Sequence, residues 1–245
     1  MIVLAAGMPR AGSGWHYNLT HDLGLLSGAT DAREIRRRYR LQSILTEVNC
    51  NIGVLSARRL AMVLIPHLRG ATFTIKLHAG PTKWGNRLIS RGILTPTYIY
   101  RDPRDALLSA FEYGARARLA GKANAFSHLL TIEDAIAFIA EYVGYAEQWL
   151  ALPQCHALRY EDFKNNYDHE AARLAEFLQV DPAAPEVRAV LDKYRPEQAA
   201  TGDKGLHFVK GVSGRYREQL TAAQQELCRA AFGDALARLG YAPPR

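Results

Sequence analysis

The sequence is short of cysteine, of long apolar runs and of acid, and each shortage closes off a class of protein. Its three cysteines, Cys50, Cys155 and Cys228, are widely spaced and odd in number. Neither a disulfide framework nor a zinc knuckle is therefore expected, and a reducing cytoplasm is the expected location. No stretch approaches the ~20 apolar residues that span a bilayer, so an integral membrane protein is not expected. The N-terminus, Met1-Ile2-Val3-Leu4-Ala5-Ala6, lacks a basic n-region and its apolar run stops at Gly7, too short for a secretory signal. There is no internal repeat, low-complexity tract or linker, so one domain over residues 1–245 is expected.

What remains has the make-up of an ordinary globular α/β chain, 48% hydrophobic and 22% charged. Thirty-one basic residues against 24 acidic give a net charge of +7, which points to an anionic partner. Charge alone does not separate nucleic acid, an anionic membrane and a polyphosphorylated cofactor. The densest basic run, Arg36-Arg37-Arg38-Tyr39-Arg40, reads as a solvated helix face and gives no ground for nucleic-acid binding.

Residues 2–6 form a short apolar run ending at Gly7, the pattern of a buried parallel strand that turns sharply. A helix is expected from Ser13 to about Leu26, a second within residues 31–49, and a third that Ser56 caps and that ends near Arg69-Gly70. Residues 71–77 and 96–100 read as core strands, with an amphipathic stretch over residues 82–92 between them and a helix starting at Pro103. Apolar residues at helical spacing predict a long helix over residues 132–150. A fourth strand over residues 157–160 and helices around 168–178, 183–194 and 221–239 follow, with a glycine-rich loop at residues 202–214. Strands alternating with helices imply a three-layer sandwich, a central parallel sheet with helices on both faces and ligands beyond the carboxyl ends of the strands.

The candidate functional residues collect at those ends. Gly7-Met8-Pro9-Arg10-Ala11-Gly12-Ser13-Gly14-Trp15 joins a strand to a helix, so its backbone N–H groups can cradle an anion. It is close to the ATP loop G-x-x-x-x-G-K-[ST], but Ser13 follows Gly12 and the lysine is missing, which leaves Arg10 as the cation. Trp15 is either core or a platform for a base. Lys76 and His78 stand at i and i+2, on one face of an extended segment, where a cation and a base can meet one reacting centre. Arg101 ends a strand and Ser109 lies two turns into the next helix, a pair suited to a second phosphate, although Arg101 could instead pair with Asp105.

Taken together these segments resemble the sulfotransferases that use 3′-phosphoadenylyl sulfate (PAPS). The 5′-phosphosulfate loop of that family is similar to Pro9-Arg10-Ala11-Gly12-Ser13-Gly14-Trp15, its K-x-H element to Lys76-Leu77-His78, and its 3′-phosphate element, R-[ND]-P-x-D-x-x-x-S, to the nine residues from Arg101 to Ser109. Arg159-Tyr160-Glu161-Asp162-Phe163 resembles the Y-E-D segment whose tyrosine lies near the adenine. Val209-Lys210-Gly211-Val212-Ser213-Gly214 resembles the R-K-G-x-x-G loop over the 3′-phosphate, with valine where arginine is usual. The resemblance implies a P-loop-like fold, His78 as general base, and Arg10 and Lys76 as cations on the transferring group. It further implies that PAPS is the co-substrate and 3′,5′-bisphosphoadenosine (PAP) the product, with no metal required. Ala11, Gly12, Ser13, Gly14, Trp15, Arg101, Ser109, Tyr160, Lys210 and Gly211 would complete the nucleotide site.

The family's dimer motif is matched only at Arg217, Thr221, Ala222 and Glu226, so a homo-oligomer is possible on this reading but not specified. The acceptor would carry a hydroxyl or amine on a glycan, a lipid or a secondary metabolite. Two alternatives remain open on sequence alone: a P-loop-type small-molecule kinase and a non-catalytic phosphonucleotide-binding protein. The kinase would have to do without the loop lysine and without a clear magnesium carboxylate.

Overall fold

A computed structural model describes residues 1–199 and 212–241, so Lys210, Gly211 and most of the expected 202–214 loop lie outside the described residues. The strands are β1 (Ile2–Gly7), β2 (Phe73–Leu77), β3 (Leu94–Tyr100) and β4 (His156–Arg159). They form one parallel sheet in the order β2-β1-β3-β4. Ile2 of β1 pairs with Phe73 on one side and Leu94 on the other, and Thr97 of β3 pairs with His156. The order reverses between β1 and β3, so the loop after β1 opens at the switch point where open α/β sheets bind ligands.

Ahead of β2 come α1 (Ser13–Leu26), α2 (Ala32–Arg38) and α3 (Ala57–Leu68), and α4 (Lys83–Ile89) joins β2 to β3. Beyond β3 lie α5 (Pro103–Leu119) and α6 (Ile132–Leu150). After β4 follow α7 (Tyr160–Asn165), α8 (Tyr167–Phe177), α9 (Pro185–Lys193), α10 (Pro196–Ala199), α11 (Tyr216–Gln219) and α12 (Ala222–Arg238). Local chemistry sets half of the starts. Asp31, Ser56, Thr82, Asp102, Thr131 and Thr221 each cap a helix through a side-chain oxygen. Pro103 follows its cap directly, where its missing N–H costs nothing.

The strand period divides the interior into two cores. Ile2, Leu4 and Ala6 pack with Phe73, Ile75 and Leu77 and the layer containing α5, α6 and α12. Val3 and Ile99 pack with Trp15, Leu19 and Leu23 of α1 and with Leu174 of α8. Since Phe73, Ile75 and Leu77 take the first face, the alternation directs Thr74 and Lys76 toward α1.

The helix expected within residues 31–49 is Ala32–Arg38. Two expectations need correction. Tyr160 begins α7 instead of ending β4, because Glu161 and Asp162 follow it and favour a helix N-terminus. The last helix is broken at Gly233, whose φ of 34° departs from helical geometry.

Candidate functional site

The loop after β1 is built around backbone conformations that few residues tolerate. Gly12 caps α1 with a φ of 79° and no side-chain cap, and the first turn of α1 holds no acid. A methyl group at Gly12 would sit 3.0 Å from the Tyr160 ring, and one at Gly7 would lie 2.6 Å from Ile99 Cγ2. The helix N-terminus thus presents N–H donors and the positive end of its dipole with no internal anion to satisfy them. Arg10 also has a positive φ, 65°, in a region that costs a non-glycine residue about 1–3 kcal/mol and clusters at functional sites.

The Arg10 side chain turns toward α5. Its Nε donates to Ser109 Oγ at 3.2 Å, and its guanidinium lies 4.3 Å from the Tyr113 ring centre. Burial, with Arg116 and Arg101 adding repulsion, lowers its pKa to about 10, while Tyr113 and Glu112 oppose the fall. Lys76 is 5% exposed, and burial with the Arg10 charge lowers its ammonium to about 8. Neither cation has a carboxylate partner among the described residues. Two like charges this close, one buried and one half-buried and neither ion-paired with a carboxylate among the described residues, are costly unless an anion joins them.

His78 is the best-defined group here. Its Nδ1 lies 2.7 Å from the Gly7 carbonyl oxygen, which can only accept, so Nδ1 carries the proton and Nε2 keeps a free lone pair. Burial and the Lys76 charge lower its pKa to about 4, against a smaller raising effect of the Gly7 bond, so the ring is neutral at physiological pH. Trp149 Nε1 donates to Ala79 O at 3.1 Å and holds the segment that follows. The strand end therefore offers a fixed cation and a fixed, unprotonated nitrogen.

The segment starting at Arg101 is organised differently. Arg101 is 7% exposed and lies 3.8 Å from Asp105. Its guanidinium stacks 4.6 Å from the Tyr160 ring centre, and its Nη2 donates to Val212 O at 2.8 Å. Its Nη1 reaches Arg10 O at 3.5 Å, a long contact that links the two strand-end loops. Asp102 caps α5 and binds Arg104 through both carboxylate oxygens, at 2.9 and 2.8 Å. Asp105 accepts from Gly214 N at 2.5 Å and Tyr216 N at 3.3 Å, so it anchors residues 214–216 to the start of α5.

A row of half-buried rings leads away from Arg10. Tyr113 meets Phe126, Phe126 meets Phe138, Phe138 meets Tyr142 and Tyr142 meets Tyr145, with centres 5.0 to 5.7 Å apart. Tyr145 ends the row against Gly80, where an added methyl would lie 2.6 Å from its Cδ1. One edge of the row is thus Arg10 and the other is the loop carrying His78.

Residues 96–240 match the family model of the sulfotransferase domain. The chain belongs to that family. Arg101, Ser109 and Tyr160 of this sulfotransferase fall inside the matched region, whereas the Gly7–Trp15 loop, Lys76 and His78 precede it. The fold likeness reaches further. A structure of retinol dehydratase with androsterone and PAP is similar over 96% of this chain and 80% of its own, with a TM-score of 0.63 at 17% identity. A mouse sulfotransferase, SULT7A1, complexed with PAP, is similar over 96% of this chain and 84% of its own, with a TM-score of 0.61 at 14% identity. No curated protein sequence matches the chain.

The sulfotransferase thus brings Arg10, Lys76, His78, Arg101 and Ser109 to one end of the sheet, as the sequence led us to expect. Trp15 is in the core: its ring is fully buried against Phe163 and Tyr167 and its Nε1 donates to Tyr194 O at 2.8 Å, which leaves its backbone, not its ring, for a ligand. Tyr160 is also buried, between Arg101 and Gly12. Sequence reasoning foresaw Asp105 beside Arg101 but missed the supporting roles of Asp102 and Glu161. Glu161 accepts from Asp102 N and from Tyr241 Oη, joining α5, α7 and the C-terminal segment. The one available signal was Asp102-Pro103, a cap followed by a proline at the first helical position.

Proposed function

We propose that this sulfotransferase moves a sulfuryl group from PAPS to an acceptor hydroxyl or amine by direct in-line transfer, with His78 as the base. One observation carries the reading: among the described residues neither Arg10 nor Lys76 is ion-paired with a carboxylate, and beside them stands a histidine whose Nε2 is the free base. The donor set suits an anion in its chemistry, and the α1 N-terminus adds uncapped N–H groups. PAPS supplies the sulfuryl group and a nucleotide phosphate as leaving group. Ser109 and Arg101 are the described candidates for its 3′-phosphate, with Lys210 and Gly211 joining them from outside the described residues.

On this reading His78 Nε2 takes the acceptor proton as the acceptor oxygen bonds to sulfur and the bond from sulfur to the phosphate oxygen breaks. The proton ends on His78 and the negative charge on the departing PAP. Arg10 acts only by charge, since even at about 10 it stays protonated at neutral pH. Lys76 and the α1 N–H groups stabilise the same charge, the kind of fixed electrostatics that supplies most of the acceleration in such transfers. A bound anion also raises the pKa of His78 from about 4 toward neutrality, which makes it a better base in the complex than in the free enzyme.

The aromatic row beside Arg10 supports an acceptor borne on an apolar skeleton, a lipid or secondary metabolite, over a glycan. Three unpaired cysteines support the cytoplasmic location that belongs to the same proposal. Transfer of labelled sulfate from PAPS to a panel of phenols, alcohols, amines and sugars tests the activity. Thermal stabilisation by PAP, compared with ATP plus magnesium, tests the nucleotide, because a ligand of the native state raises stability by mass action. Stabilisation by ATP alone would overturn the assignment.

A further inference from the structure

Among the surface helices, α3 breaks the usual pattern. A helix of a globular protein buries one apolar stripe and shows a polar face. Here Leu60, Val63 and Pro66 are buried, yet the opposite face is apolar too: Ala57, Ala61, Ile65 and Leu68 are exposed, Ile65 by 47% and Leu68 by 81%. The exposed stripe has Arg58 near one end and Arg69 just past the other, and α3 contains no acid. Residues 31–70 hold eight arginines against three acids, a net +5 out of +7 for the whole chain.

The two features are adjacent in space. Arg69 at the end of α3 and Arg38 at the end of α2 lie 5.5 and 5.8 Å from the Tyr39 ring centre, so the arginine run after α2 abuts the Leu68 end of the stripe. Arg37, Arg38 and Arg40 are exposed, and none is ion-paired among the described residues. A solvated helix face would explain the arginines but not the leucine and isoleucine set among them.

We propose that this α2–α3 face docks on an anionic lipid membrane. Charge complementarity selects the occupant: the arginine rim matches acidic headgroups, and the aliphatic side chains at its centre match the acyl boundary beneath them. A polyanion such as a nucleic acid would use the arginines and leave Ile65 and Leu68 in water. Tyr39, a ring with a polar end between two arginines, is of a residue type enriched at bilayer surfaces.

Co-sedimentation of the full chain with phosphatidylcholine vesicles, with and without a minority of phosphatidylserine, tests this. Binding is expected only with phosphatidylserine, and is lost at high salt. Leu68→Glu with Ile65→Glu should weaken it by at least about tenfold, and Arg37→Glu with Arg38→Glu by a similar factor. Stabilisation by PAP, unchanged in every variant, shows that the fold and the nucleotide site persist, so failure here is distinguishable from failure of the sulfotransferase assignment. The proposal is overturned if phosphatidylserine vesicles do not bind the wild type, or if the Leu68 and Ile65 variant binds them as well. It also fails if the patch instead mediates a dimer that dissociates in that variant, or binds an acidic protein but no vesicle.

Discussion

Three strand ends of this sulfotransferase carry buried or half-buried cations, balanced in two opposite ways. At β1 and β2, neither Arg10 nor Lys76 is ion-paired with a carboxylate among the described residues, and burial lowers Lys76 to about 8. At β3, every cation has one: Arg101 faces Asp105 and Arg104 grips Asp102. An unpaired buried charge is held in place by the fold but awaits a counter-charge, whereas a paired one is already a structural joint. The difference teaches where chemistry and architecture divide. On the proposed reading the first pair faces a developing negative charge, whereas the second ties α5 to residues 212–216.

The sharpest test of the first region is His78→Ala. With saturating PAPS it should lower kcat between about 100- and 10,000-fold while PAP still binds. Full turnover in that variant would break the contrast at its root. Arg10→Ala should remove about 2.7 to 4 kcal/mol of barrier lowering, roughly 100- to 1,000-fold in kcat, with little change in thermal stability. In the second region the balance should invert. Asp105→Asn leaves Arg101 without its acid and weakens the anchors of Gly214 and Tyr216, so it should cost about 1 to 3 kcal/mol of stability by denaturant titration, with activity falling through weaker nucleotide binding.

The pH dependence of kcat/KM sharpens the comparison further. In the free enzyme it should rise as pH increases through about 4, where His78 loses its proton, and fall above about 8, where Lys76 loses its charge. Both limbs of the kcat profile should lie higher, since the bound anion favours the protonated forms. A smaller effect is expected on stability. His16 is fully buried with neither ring nitrogen partnered among the described residues, and burial lowers its pKa to about 3. The unfolded chain then takes up a proton that the folded one refuses, so stability should fall as pH drops from about 6.5 toward 3. His16→Leu should flatten that slope in a series of thermal melts.

The strand and helix pattern was legible because it rests on local rules. The run Ile2-Val3-Leu4-Ala5-Ala6 before Gly7, the cap at Ser56 and the helical spacing from Ile132 to Leu150 each declare themselves within a few residues, and the structure reproduces α1 and α6 at the limits read from the sequence. Lys76 and His78 could be set on one face by period alone. Tyr160 was misplaced at the end of a strand because a short run of apolar and aromatic residues does not reveal the helix that its acidic successors start.

Charge balance was legible only at Arg101, whose spacing from Asp105 suggested their ion pair. Nothing in the order of residues says that Arg104 takes Asp102, that Glu161 ties Asp102 to Tyr241, or that Arg10 and Lys76 have no ion-paired acid among the described residues. Nor does it say that the Gly7 carbonyl, 71 positions away, fixes the tautomer of His78. The sequence by itself determined which residues arrive at the carboxyl end of the sheet, since strand period and turn chemistry act over neighbours. Only the tertiary structure decided which of them are neutralised and which remain charged, since that depends on burial and on partners brought close from distant parts of the chain.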